Sequence, residues 1–322
     1  MEIKQSVRII LSALLFAGCT ATQQEKQQAE AANLRIAYNV YFNAETDDYE
    51  VFSMNLDGSD QRNVTNLGGV EWTYYAYKNT LFFISDKDTT HRHYYLYETN
   101  ALGEAPKKVT GYRLKDSWMS SRNAGQEIIV NPRVEGDSAF YIISSNTGQL
   151  LSKLYTGKRY YNDPVFSPDG QQVVFRGADQ PFKKDTGYRD ELYIINADGS
   201  GLTQLTHYPE KDTTAQWWEY HAGAPFWEPN RNIISYCSVQ NGLSSLFQIN
   251  PDGKGGRKIT PDSLSVTWHS WSPDGKWLAF DGHHVSDTTH NYDIYLMDYE
   301  AQNIRRLTTD TTGQNAPVFV EY

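Results

Sequence analysis

An aliphatic residue followed by threonine returns along this chain at a nearly fixed interval. The steps are Val64-Thr65, Val109-Thr110, Leu205-Thr206, Ile259-Thr260 and Leu307-Thr308, with Leu154-Tyr155-Thr156 as a weaker member. Successive threonines are 45, 46, 50, 54 and 48 residues apart. A period near fifty, filled with strand-like segments, is the spacing of propeller blades built from four strands each.

The order inside a unit is constant. An aromatic strand runs into a Pro-Asp-Gly turn, as in Val165-Phe166-Ser167-Pro168-Asp169-Gly170 and Ser270-Trp271-Ser272-Pro273-Asp274-Gly275. A second apolar strand follows, such as Val173-Val174-Phe175, and then a polar loop of variable length. The third strand alternates, as in Glu191-Leu192-Tyr193-Ile194-Ile195-Asn196, and turns through Asp-Gly into a fourth. Glycine accepts the positive φ that such a turn requires.

These stretches resemble the propeller repeat of the TolB family, a WD40-like PD40 repeat. The resemblance rests on Phe166 to Gly170, Glu191 to Gly201 with Leu205-Thr206, and Trp271 to Gly275 with Asp293 to Asp298. It covers roughly residues 34–322. It implies an all-β, six-bladed propeller and is silent on activity. The first unit starts at Arg35-Ile36-Ala37-Tyr38, a second-strand segment, while Ala316-Pro317-Val318-Phe319 matches the leading segment Asp163-Pro164-Val165-Phe166. The C-terminal strand is therefore expected to close the first blade. TolB carries an α/β domain before its propeller; here a short tether stands in that place, so the Tol-Pal role is not carried over.

Residues 1–19 read as a lipoprotein signal peptide. Lys4 and Arg8 precede the apolar run Ile9 to Ala17, which is too short to span a bilayer. Leu15-Phe16-Ala17-Gly18-Cys19 resembles a lipobox, with Phe16 where Leu is usual. Cys19 is the expected lipidation site. Thr20 follows it, so the resemblance implies the outer membrane, with the domain facing the periplasm or the exterior. Residues 20–33 form a polar tether and 34–322 the propeller. Cys237 then has no partner for a disulfide, and its apolar strand setting suits a small buried filler. A net charge of -10 argues against nucleic acid as a partner. The chain is expected to be a monomer.

A propeller sorts its connections onto two faces. One face here carries short turns. The other carries the long loops Asp86 to His93, Gly177 to Asp190, Thr206 to Trp217 and Gly282 to Asn291. Function is expected on the long loops. All eight histidines fall toward that face by this reading. His221, His269, His283 and His284 are the candidate ligands for a divalent Mn, Ca or Zn ion, with Asp281 nearby in sequence. His269 stands where other units have Pro164, Pro225 or Pro317, which places it near the axis. Trp217, Trp218 and Tyr220, with Arg189 and Arg92, are the candidate ligand-binding residues, since flat aromatic faces stack on sugar rings. Phe166, Trp227, Trp271 and Phe319 occupy one repeat column and are assigned to packing.

Two functions fit. The first is a cell-envelope protein that binds a protein or glycan partner on its loop-rich face. The second is a lyase like the oligogalacturonate lyases, which share the propeller architecture and a His-rich channel mouth. In that chemistry a metal would neutralise a uronate carboxylate, and His269 or His221 would act as the base.

Overall fold

The computed structural model describes residues 33–183 and 188–322. The signal segment with Cys19, the tether up to residue 32, and residues 184–187 of the long loop from Gly177 to Asp190 lie outside them. Among the described residues no helix is long and apolar enough to cross a membrane.

The chain folds into six four-stranded antiparallel sheets. Blade 1 contains β1 (Leu34–Asn43), β2 (Asp48–Asn55) and β3 (Arg62–Asn63). Blade 2 runs β4 (Glu71–Tyr77), β5 (Thr80–Ser85), β6 (Tyr95–Thr99) and β7 (Lys107–Lys108). Blade 3 has β8 (Ser120–Arg122), β9 (Glu127–Val130), β10 (Ala139–Ser144) and β11 (Leu150–Tyr155). Blade 4 has β12 (Tyr160–Phe166), β13 (Gln172–Ala178), β14 (Glu191–Asn196) and β15 (Thr203–Gln204). Blade 5 comprises β16 (Pro225–Trp227), β17 (Ile234–Gln240), β18 (Leu243–Ile249) and β19 (Arg257–Lys258). Blade 6 comprises β20 (Leu264–Trp271), β21 (Trp277–His284), β22 (Asp293–Asp298) and β23 (Asn303–Arg306). The last strand, β24 (Gln314–Glu321), pairs with β1 as the inner strand of blade 1, matching Leu34 to Glu321 and Ile36 to Phe319. The ring is closed by its own C-terminus, as the end segments predicted.

The recurring threonine has a physical reason. Its hydroxyl accepts the backbone N–H of a third-strand residue fourteen positions earlier, at Val51, Leu96, Leu192, Leu246 and Ile294. This clamps the short outer strand onto its neighbour. Thr156, the weak member, instead accepts from Lys158 N–H, 3.2 Å away, and its blade holds a longer outer strand.

Seams between blades are tied by a polar residue on the second strand or just past its end. Asn39 Oδ1 accepts from Thr73 N–H (2.8 Å), Asn131 Nδ2 donates to the Tyr161 carbonyl (3.1 Å), and Asp281 Oδ2 accepts from Ala316 N–H (3.2 Å). Apolar columns fill the space between. Phe166, Trp227, Trp271 and Phe319 are buried, as assigned. Irregularities in the inner pairings at Thr73/Tyr75, Asn162/Val165 and Val266/His269 turn side chains that would otherwise follow simple alternation.

Candidate functional site

Inner strands of all six blades surround a channel with a cavity at each end. At the short-turn end a cavity of about 410 Å³ receives side chains from every blade, among them Tyr75, Phe166, Trp227, Trp271 and Phe319. Lys78 and Glu321 also line it, and Glu321 N–H donates to the Lys78 carbonyl at 2.8 Å. Since Leu34 pairs with Glu321, residues 33 and 34 enter the fold at this end.

At the loop-rich end a cavity of about 230 Å³ is lined by Tyr49, Trp72, Tyr74, Arg92, Asp116, Trp268, Asn315 and Ala316. Trp268 is 39% exposed on an inner strand. Its position follows from Asp281, which lies on β21 and is fully buried. Asp281 Oδ1 accepts from Trp268 N–H (2.7 Å) and from Thr267 Oγ1 (2.6 Å), and holds the bulge that turns Trp268 into the channel mouth. Burial pushes the Asp281 carboxyl up to about 7, against the pull of those donors.

Arg92 stands at the rim. Its backbone N–H donates to Asp86 Oδ2 (2.7 Å), its Nε and Nη2 donate to the two Asp47 oxygens (2.8 and 2.9 Å), and its guanidinium lies 5.2 Å from the centre of the Trp72 ring. Tyr74 donates to Asp116 Oδ1 at 2.7 Å. Aromatic faces, a cation, a carboxylate and the Asn315 amide thus share one small concavity, the composition of a ligand pocket.

The other predicted ligand-binding residues gather across the ring, at the seam of blades 4 and 5. Trp217 and Trp218 meet edge to face (5.7 Å), Trp217 lies 6.4 Å from His221, and Tyr188 lies 5.4 Å from it. Arg189 stacks over Tyr208 (3.6 Å), whose ring meets Tyr220 at 6.0 Å. Trp218 is 47% exposed. Arg92, in a loop of blade 2, is not part of this group.

The four histidines proposed as ligands occupy three places. His269 is 2% exposed, and its Nε2 lies 2.6 Å from Ser235 Oγ on β17. Burial drives its pKa down to about 3. The expectation that it sits near the axis is corrected: its ring turns into the seam of blades 5 and 6, and Trp268 takes the axial position. His221 keeps a buried Nε2 without a hydrogen-bond partner, and burial followed by Arg189 lowers its pKa. His283 and His284 end β21, so the loop expected from Gly282 begins later. His283 packs against His290 (5.1 Å) and Tyr292 (5.3 Å), while exposed His284 bonds Ser286 (2.7 Å) on the other side of the strand. Among the described residues, the donors that gather as a cation would need are Asp48, Glu50 and Glu71, with no histidine. Cys237 is half-buried rather than the fully buried filler expected, but its thiol points inward: burial pushes it up to about 12, and a Cβ on Gly223 would overlap its sulfur.

Trp268, Asp116 and Asn315 were not singled out from the sequence. The available signal was the His269 substitution in the proline column, one residue from Trp268. Asp48, Glu50 and Glu71 belong to two adjacent blades, and it is the packing of those blades that brings them together.

The fold and its channel define a six-bladed β-propeller of TolB-like architecture. TolB from Acinetobacter baumannii superposes with a TM-score of 0.66 at 14% identity, over 88% of this chain and 66% of that one. An oligogalacturonate lyase in complex with manganese gives 0.50 at 16% identity, over 85% and 72%. At these identities the likeness is one of fold. No family model matches the chain. Among curated proteins, dipeptidyl-peptidase 5 of Porphyromonas endodontalis is 33% identical over 114 residues, which is 35% of this chain and 15% of that enzyme. The chain thus matches a small part of that relative's length.

Proposed function

We propose that this chain is a binding module of the bacterial outer membrane, anchored by lipid on Cys19, whose loop-rich face takes a glycan or protein partner. The observation that carries the reading is Trp268. An inner-strand tryptophan held in the channel mouth by a buried carboxylate, in one cavity with Trp72 and Arg92, presents apolar surface and hydrogen-bonding groups together. The tether supports the orientation. Residue 33 enters at the short-turn end, so a lipid anchor would leave the loop-rich end pointing away from the membrane.

The test is calorimetric titration of the full chain with neutral and acidic oligosaccharides and with envelope-protein peptides. Binding that weakens at least about tenfold in Trp268→Ala, with an unchanged melting temperature, is the expected result. Equal affinity in the variant would remove this cavity as the site. The same acidic mixtures are followed by ultraviolet absorbance. A rise from a new conjugated double bond would replace binding with lyase chemistry, for which His221 is the better-placed base, because His269 is sealed in a seam.

A further inference from the structure

Asp48 and Glu50 are two residues apart on β2, and their side chains leave the same face of the strand. Glu71 opens β4 in the next blade. The connection between the blades folds over them with left-handed backbone at Asn66, Gly68 and Gly69. One oxygen from each carboxylate lies within 4.8 Å of the others. Asp86 borders the same space: its Oδ1 accepts from Val70 N–H (3.0 Å) and would lie 2.5 Å from a Cβ on Gly69, which would itself be 4.0 Å from Glu71 Oε1.

The repeat explains Glu50. It accepts from Thr65 Oγ1, Leu67 N–H and Gly68 N–H, much as Glu191 accepts from Thr206 Oγ1 and Tyr208 N–H in blade 4. Glu71 has no such explanation. It is 0% exposed; Oε1 accepts from Ser85 Oγ (2.6 Å), and Oε2 is buried with no hydrogen-bond partner. The neighbouring guanidinium, Arg92, is taken by Asp47. A buried, unpartnered carboxylate oxygen among carboxylates is costly unless a proton or a cation compensates it.

We propose that Asp48, Glu50 and Glu71 hold a calcium ion at the seam of blades 1 and 2, with Asp86 beside it. Donors that are all oxygen select a hard cation. An irregular carboxylate set under a loop suits calcium better than magnesium, which demands a near-ideal octahedron. The ion would join the blade closed by the C-terminal strand to its neighbour. Through Asp86 and the Arg92 backbone it would also steady the rim of the loop-rich cavity.

The experiment uses the full chain stripped with EDTA and titrated with calcium chloride by calorimetry, with melting temperature measured in parallel. One ion per chain is expected, with a rise of roughly 5 °C at a hundred times the dissociation constant and a smaller rise with magnesium. Glu71→Gln keeps an acceptor for Ser85 and removes the charge. It should weaken calcium binding at least about tenfold without lowering the metal-free melting temperature. Asp48→Asn, on the rim, is the second variant should Glu71→Gln fold poorly. No calcium heat together with a melting temperature indifferent to EDTA, calcium and magnesium would overturn the proposal. So would full calcium affinity in the variants, and Glu71 would then be carrying a proton.

Discussion

The two ends of the channel are made in different ways. At the short-turn end blades 1, 4, 5 and 6 contribute one column of large aromatics, and the cavity is largely what the repeat yields when copied around a ring: Phe166, Trp227, Trp271 and Phe319 beside Pro168, Pro229 and Pro273. At the loop-rich end the lining comes from departures from the repeat: a tryptophan, Trp268, on a bulge that the inner strands of blades 1, 2 and 4 also carry, Arg92 in a long loop, Asp116 in an inter-blade connection. The first end reports how the ring is held together. The second is where this chain differs from a generic propeller, and there a specific partner has something to recognise.

The largest predicted effect tests closure. Removing Gln314 to Tyr322 deletes the inner strand of blade 1 and leaves β1 without its partner. The expected outcome is loss of the cooperative thermal transition for the whole domain by circular dichroism. A truncated chain that still melts cooperatively near the wild-type temperature would show that the ring does not need its last strand.

Next comes Asp281→Ala. It strands the N–H groups of Trp268 and Ala316 and the Thr267 hydroxyl in a buried seam, at a cost of about 3 kcal/mol. The contrast is Asp274→Ala in the short turn. There the lost bonds come from Ser272 Oγ (2.5 Å) and Lys276 N–H (3.0 Å), at an exposed position, and the cost should stay near about 1 kcal/mol. Urea denaturation of both variants measures the difference. Equal losses would mean that the bulge is not fastened by Asp281.

His269 adds a pH-dependent effect. Its folded pKa of about 3 lies below the ordinary histidine value, because burial disfavours the imidazolium. The unfolded chain therefore takes up a proton that the folded chain refuses. The resulting stability is fully present above about pH 6.5 and drains away as pH falls toward the folded pKa, by at most about 1.4 kcal/mol per pH unit. His269→Gln removes this dependence. The gap in melting temperature between wild type and variant should be widest at pH 7 and shrink by pH 4.5. A constant gap would indicate that the imidazole protonates freely in the fold.

The repeat column was legible in the sequence because each member does the same job in each blade. The threonine clamp, the Pro-Asp-Gly turns and the matching end segments each leave a fixed spacing. That was enough to derive six blades and their closure. The site was less legible, because bulges break the alternation that sequence reading depends on. A shift of one position put Trp268 in the channel and His269 in the seam, the reverse of what the proline column implied. The histidines share a region of the sequence pattern, yet their rings separate: His269 turns into a seam, His221 packs between Tyr188 and Trp217, and His284 is exposed. The carboxylates that do converge come from a strand of one blade and a strand of the next, and no local motif records that meeting.

Trp268 and Trp271 put the comparison between the two ends onto a single strand. Trp271 is buried, and its indole N–H donates to Ser235 Oγ at 2.8 Å, so truncating it opens a cavity in the column that the repeat builds. Trp268, three residues earlier, is partly exposed over the loop-rich cavity. Trp268→Ala should therefore cost under about 1 kcal/mol of stability, since surface substitutions remove little packing. Its backbone N–H still reaches Asp281, so the bulge survives the change. A measured loss comparable with that of Trp271→Ala would show that the side chain holds the ring together, and would take away the reason for assigning it to a partner.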